Sequence, residues 1–255
     1  MTAAPSSARS DRPRRIGGRV LNAFSITGTV TEVEPAAAHM QRIRIEGDEV
    51  AGLTWRPGQQ VRVHMSDLLD PHSWRRPRDI LRTYSIWRAD GRSLELCVLD
   101  HDTGGPGARW ARDAEVGQSL TFGRPEGSFV LQDDASYHVF AGEETAAVAF
   151  GAMLAALPAG TPAYPLLEVD TPAGRLPLAR DVPWLYRDGR PAVASASLLE
   201  AARRLELPRE PGAAYLAGEA RTVQLLRRHF ITERGWPRQS VRTKPFWAPG
   251  KRGLD

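Results

Sequence analysis

The 255-residue chain contains a single cysteine, Cys97, and six histidines that show no metal-ligand spacing. One cysteine excludes an internal disulfide framework and any four-cysteine zinc or iron–sulfur site. If this protein carries out redox chemistry, its centre must therefore be a bound organic cofactor or a metal that belongs to the substrate. We predict no metal site of its own.

Long apolar runs are also absent. No stretch reaches the roughly 18 apolar residues that a membrane-spanning helix needs. The N-terminus contains arginines but no apolar segment of the kind found in secretory signals. We therefore predict no membrane partner and a cytoplasmic location.

The net charge of +4 is confined to the N-terminus. Residues 1–20 contain five arginines and one aspartate, so residues 21–255 are formally neutral. A neutral remainder argues against a nucleic-acid partner. Because the first residues are rich in Ser, Pro, Gly and Arg, we predict a disordered basic tail over residues 1–22.

The rest of the chain changes pattern near residue 132. Residues 23–132 contain six short β-rich runs separated by Gly and Asp turn signals, which predicts a six-stranded antiparallel barrel. Residues 133–255 alternate β-like and α-like segments, which predicts a parallel sheet with crossover helices. The last predicted strand is residues 213–217, and no Gly-x-Gly-x-x-Gly is present. Two strand–Gly–Glu–helix units, Gly142-Glu143 and Gly218-Glu219, should lie at carboxyl ends of strands, where such sheets bind ligands.

Two motifs in the first half carry the chemistry. In the strand Arg82-Thr83-Tyr84-Ser85, Arg82 and Tyr84 share a face, so a cation and an aromatic ring lie side by side. Ser85 at the strand end offers a hydroxyl to a flat heterocycle. A glycine-rich loop follows at residues 104–107 and leads into a predicted helix over residues 108–115. Its bare backbone and the positive helix end favour a phosphate. The two pieces together predict a cradle for a flavin dinucleotide.

At these residues the chain resembles the siderophore-interacting proteins, a family of flavin-dependent ferric-siderophore reductases in the ferredoxin-reductase-like superfamily. RTYSIWR matches the family's first signature, although its second arginine falls at Trp87. Leu99-Asp100-His101, running into Gly105-Pro106, matches the second signature, with Asp100 as an addition. The resemblance covers roughly residues 24–253. It implies an FAD-binding barrel, an NAD(P)-binding-like second domain, and cofactor contacts from Arg82, Thr83, Tyr84, Ser85, Leu99, His101, Gly104, Gly105, Pro106, Gly107, Ala108, Trp110, Thr145 and Trp247.

Several of these residues also have a simpler interpretation. Trp110 lies in an amphipathic helix and is equally a core candidate, and Tyr84 could be a core residue of the barrel. Trp247 lies beyond the last predicted strand, in a segment rich in Pro, Gly and Lys. The resemblance implies that it shields the flavin as a gate, and the alternative is packing of the chain end.

The resemblance also implies a basic triad for the iron complex. Arg62 and Arg242 fall at two matching places, but the third falls on Glu126, with Arg124 two residues earlier. We therefore take Arg62, Arg124 and Arg242 as candidate substrate-binding residues. A cationic rim attracts anions such as ferric siderophores or NADPH. A solvated surface is the alternative.

The resemblance thus implies FAD-dependent reduction of a ferric siderophore, with NADPH, NADH or a ferredoxin as donor. We expect a monomer. Two alternatives stay open. One is a flavin- or ferredoxin-type reductase whose acceptor is a protein, and the other is a carrier that binds iron complexes or nucleotides without turnover.

Overall fold

The computed structural model describes residues 25–65, 81–100 and 105–251. The predicted basic tail, residues 1–22, lies outside the described residues, as do His101 and Gly104. Within the described part, no helix is both long and apolar enough to cross a membrane.

The first half is a closed barrel of six antiparallel strands in the order β1-β2-β5-β4-β3-β6. The strands are β1 (Ser25–Ala37), β2 (Met40–Glu46), β3 (Gln60–His64), β4 (Leu81–Ala89), β5 (Ser93–Leu99) and β6 (Ser119–Gly123). Alternate residues of β1, such as Ile26 and Val30, point into the barrel, where they meet Ile43 and Phe122. Helix α1 (Pro106–Asp113) packs its Ala111 onto this core.

The second half is a five-stranded parallel sheet in the order β11-β10-β7-β8-β9. Its elements are β7 (His138–Glu143), α2 (Glu144–Ala156), β8 (Ala163–Val169), β9 (Trp184–Tyr186), α3 (Ala196–Arg204), β10 (Ala213–Glu219), α4 (Ala220–Arg228) and β11 (Val241–Trp247). The predicted fold class, an antiparallel barrel followed by a parallel α/β sheet, is confirmed. The predicted division after residue 132 falls in the connection between β6 and β7.

An apolar core joins the two halves. Helix α2 is apolar on all sides, as expected of a buried helix. Its Phe150 and Met153 share one buried cluster with Met40 and Cys97 of the barrel. The ring of Trp87 rests on Gly151 of α2, where an added Cβ would lie 2.3 Å from the Trp87 ring. Trp87, which replaces the expected second arginine, therefore packs between barrel and sheet.

Two sequence expectations were wrong in detail. Trp247 does not follow the last strand, because residues 241–247 form β11, which pairs with β10. The predicted helix 108–115 begins at Pro106 and ends at Asp113, since proline is favoured at the first helical position. Strand β5 is buried on both faces, because Cys97 contributes to the shared core. Helix α4 ends at Arg228 and continues as a π-turn, His229–Glu233.

Candidate functional site

Strand β4 and helix α1 meet at Gly107. A Cβ at Gly107 would lie 2.2 Å from the Tyr84 hydroxyl oxygen and 3.6 Å from Cγ of Arg82. A side chain at this place would force Tyr84 or the helix to shift, so the missing side chain of Gly107 lets the helix backbone approach both residues. The two motifs, separate in sequence, therefore form one cradle.

An aromatic pair forms the floor of this cradle. The rings of Tyr84 and Trp110 lie 5.6 Å apart at 37°. Both side chains also pack against the barrel core, so the alternative that Tyr84 and Trp110 are core residues holds in part. Burial raises the pKa of Tyr84, and its hydroxyl stays neutral. The Trp110 Nε1 is buried without a hydrogen-bond partner among the described residues, so the cradle contains one unsatisfied N–H donor.

Helix N-termini distinguish the cradle from the rest of the molecule. Three of the four α-helices in the described residues have a side chain that accepts a hydrogen bond from their first turn: Glu143 for α2, Ser195 for α3 and Glu219 for α4. Helix α1 begins after Gly105, and no side chain of the described residues caps it. Its first turn lies beside Arg82 and Gly107, where its amides can meet an anion.

These features fit FAD. The N-terminal amides of α1 and the Arg82 guanidinium suit a pyrophosphate, and the Tyr84 ring suits a flat heterocycle. Thr83 and Ser85 pair with Arg62 and Gln60 of β3 across the barrel wall.

The other cofactor candidates near the cradle lie around α1. Leu99 ends β5 against the shared core, and Ala108 is buried in α1. Asp100, the addition to the second signature, accepts bonds of 3.1 and 2.5 Å from the Arg112 guanidinium. This ion pair ties the end of β5 to helix α1 and so holds the wall of the cradle.

Thr145 and Trp247 lie elsewhere, at the carboxyl edge of the parallel sheet. Both donate to the carboxylate of Glu143: the Thr145 backbone N–H at 2.8 Å, the Thr145 hydroxyl, and the Trp247 indole N–H at 3.0 Å. Glu143 is 1% exposed. Its role was missed from the sequence, although the repeated strand–Gly–Glu–helix unit was the available signal.

The same sheet edge restricts where a nucleotide phosphate can bind. Glu143 occupies the Thr145 amide, and the buried Glu219 carboxylate accepts from the Arg221 and Thr222 amides at 3.0 and 2.9 Å. The helix amides that usually hold a dinucleotide phosphate in such sheets are therefore taken by the protein's own carboxylates.

The basic candidates separate into two groups. Arg62 donates to Glu126 at 2.6 Å, so the acidic residue at the third triad position neutralises the first. The Arg124 guanidinium is exposed and has no ion-pair partner in the described part of the chain. Arg242 lines a groove of about 450 Å³ between barrel and sheet. Arg238 and Lys244 also line it, opposite Gln60, Gly127, Ser128 and Phe129.

A closed antiparallel barrel followed by a parallel α/β sheet defines the class of the ferredoxin-reductase-like FAD/NAD-binding folds. Phthalate dioxygenase reductase has this fold: it is 16% identical, the match covers 91% of this chain and 71% of that chain, and the TM-score is 0.67. Residues 29–129 match the siderophore-interacting FAD-binding domain, and residues 135–250 match the siderophore-interacting protein family. The chain therefore belongs to the siderophore-interacting protein family, which confirms the resemblance.

Named relatives agree with this membership. The ferric vibriobactin reductase ViuB of Vibrio cholerae is 30% identical over 186 residues, 70% of this chain and 68% of the relative. The NADPH-dependent ferric-chelate reductase of Escherichia coli is 26% identical over 242 residues, 86% of this chain and 91% of the relative. Among solved structures, a siderophore utilization protein from T. fusca is 26% identical with a TM-score of 0.78, covering 91% of this chain and 95% of that chain.

Proposed function

We propose that this protein reduces ferric siderophores with bound FAD and so releases ferrous iron. The observation that carries the proposal is the close approach of the first turn of α1 to Arg82 and Tyr84, which the missing side chain of Gly107 permits. Membership of the siderophore-interacting family and the reductase names of its relatives support the same activity.

The residues of the cradle divide the work of holding the cofactor. Arg82 and the first amides of α1 bind the pyrophosphate, while Gly105 and Gly107 keep the backbone accessible. Tyr84 and Ser85 contact the ring, and Trp110 supports Tyr84 from below. FAD, when bound, takes up two electrons from a pyridine nucleotide and passes them on singly, which ferric iron requires.

The groove between barrel and sheet receives the ferric complex. Arg238, Arg242 and Lys244 give it a positive lining, which attracts anionic chelates. The Arg62–Glu126 pair adds no net charge. Ferrous iron binds hard oxygen ligands more weakly than ferric iron, so reduction releases it.

NADPH is the donor that the E. coli relative's name supports. Because Glu143 and Glu219 take the helix amides at the sheet edge, its phosphates must bind other groups. NADH and a ferredoxin are the alternative donors. We also propose the domain limits 23–132 and 133–255, and the monomeric state and cytoplasmic location stay predictions.

The proposal is tested with purified protein loaded with FAD under anaerobic conditions. NADPH, NADH or a reduced ferredoxin is added and the oxidised-flavin band is followed. A ferric siderophore is then added together with a ferrous-iron chelator. We expect the band to bleach with the donor and to return as chelated ferrous iron appears.

Other outcomes of this experiment would favour an alternative function or refute the cradle. A flavin band that returns only with a protein acceptor would favour the generic reductase. Binding of the ferric complex without turnover would favour the carrier. Protein that retains no flavin under any condition would refute the cradle itself.

A further inference from the structure

Trp247 is held by a residue two strands away. Its indole N–H donates to Oε1 of Glu143 at 3.0 Å, although Trp247 ends the edge strand β11 and Glu143 ends β7. Strand β10 lies between them. The register between β10 and β11 shifts at this point, so that Trp247 pairs with Glu219.

Gly218 on β10 makes this long reach possible. A Cβ at Gly218 would lie 2.5 Å from Oε1 of Glu143, and its φ of +115° is one that other residues rarely adopt. Any side chain here would fill the space through which the carboxylate passes. The contact between Glu143 and Trp247 therefore depends on this glycine.

Glu143 is itself fixed in place. The Thr145 amide and hydroxyl both donate to it, and the residue is 1% exposed. A carboxylate fixed by these two donors holds an indole N–H in one orientation. Trp247, in contrast, is half-buried, so part of its ring faces the solvent at the sheet edge.

The charged groups around Glu143 come from several elements. Glu144 follows it on α2, and Glu168 pairs with it on β8. Glu219 ends β10, and Arg187 follows β9. Arg187 binds Glu144 through two bonds of 2.6 Å and lies 3.8 Å from Glu168. On β11 the neighbouring residue is the uncharged Trp247. Burial and the charge of Glu144 raise the pKa of Glu143 to about 7.

We propose that Glu143 is a positioning residue that fixes the Trp247 indole at the carboxyl edge of the sheet, across the gap at Gly218. The hold tightens when Glu143 ionises, because an ionised acceptor binds an N–H more strongly than a neutral one. That Trp247 then gates the flavin rests on the proposed function, whereas the positioning by Glu143 does not.

The test is the indole ¹H–¹⁵N spectrum of the full-length protein without FAD. The chain has seven tryptophans, and Trp247→Phe identifies the relevant resonance. We expect this resonance to shift with pH, with a midpoint near 7, and to lose that dependence in Glu143→Gln. Trp55 is the matched control, because its indole donates to the backbone oxygen of Ala89. Its resonance should not follow this midpoint.

Two further variants keep the test decisive. Glu143→Asp has a shorter side chain and should leave the Trp247 resonance displaced, and Gly218→Ala should displace it as well. A Trp247 resonance that keeps its position in both Glu143→Gln and Glu143→Asp would overturn the positioning by Glu143. A resonance that moves in these variants but does not titrate in the wild type would overturn only the tightening on ionisation.

Kinetics then addresses the gate separately. We expect Glu143→Gln and Trp247→Phe to change the KM for the pyridine nucleotide severalfold in the same direction, with ferric-siderophore reduction retained. If the resonance titrates but the kinetics are unchanged, the positioning by Glu143 is supported, and only the idea that Trp247 gates the flavin is refuted. If the wild-type protein does not reduce ferric siderophores, the proposed function fails, whereas the contact between Glu143 and Trp247 is not affected.

Discussion

Replacing Gly107 by alanine tests the cradle most directly. The new Cβ would lie 2.2 Å from the Tyr84 hydroxyl, whereas ordinary contact begins near 3.4 Å, so the contact must open by about 1.2 Å. Tyr84 cannot move freely, because Trp110 lies 5.6 Å away. Overpacking of this kind costs about 1–3 kcal/mol. A cradle relaxed by moving α1 no longer matches FAD, so we expect FAD affinity to fall about 5- to 150-fold.

The assay is FAD titration into apoprotein by calorimetry, together with thermal unfolding of the apoprotein. Gly123→Ala is the matched control, since its Cβ would meet only ordinary contacts at 3.9 and 4.0 Å. We expect its FAD affinity to stay within twofold of the wild type. If Gly107→Ala binds FAD as well as Gly123→Ala and unfolds at the same temperature, the close approach of α1 to Tyr84 is wrong.

Three further predictions concern charge. Arg82→Ala should weaken FAD binding about 10- to 150-fold, because a charge-assisted bond to phosphate is worth about 1.5–3 kcal/mol; full flavin occupancy after dilution would contradict this. Glu126→Lys breaks the exposed Arg62 pair and should lower the KM for an anionic ferric chelate about two- to fivefold. Glu115→Lys makes the same charge change at an exposed site and should leave this KM unchanged. An equal fall in KM in both variants would show that net charge alone is responsible. The pKa of Glu143, raised by burial and by Glu144, lies above its value in the unfolded chain, so the folded state keeps a proton that the unfolded state releases. This stabilising contribution is present below the unfolded pKa and is lost as pH rises to about 7. The free energy of unfolding of the wild type should therefore fall relative to Glu143→Gln between acidic and mildly alkaline pH in urea titrations, and a constant difference would refute it.

Local patterns were enough to predict the barrel, the alternation of strands and helices in the second half, and the two motifs of the cradle. The six strands of the barrel follow from short β-rich runs separated by Gly and Asp turn signals. The Arg82–Tyr84 face follows from the two-residue period of a strand, and the accessible backbone of Gly107 follows from its composition. These are properties of a few consecutive residues, which is why the sequence alone determined them.

Strand β11 could not be predicted because its sequence, VRTKPFW, is charged and contains Pro245. It pairs with β10 on one side only, and an edge strand tolerates a proline that donates no hydrogen bond. The role of Trp87 could not be predicted either. The sequence showed only that the expected second arginine is absent, and the packing of Trp87 against Gly151 explains the tryptophan.

The sequence by itself determined the class of cofactor and the family, through short motifs with their own local geometry. Tertiary structure decided which distant residues work together. Arg62 meets Glu126 because β3 lies beside the segment after β6, and this pairing removes a charge from the expected triad. Glu143 meets Trp247 because three parallel strands end at one edge and the middle one carries a glycine there. Contacts across 64 and 104 residues depend on strand order and on missing side chains, and no local period encodes either.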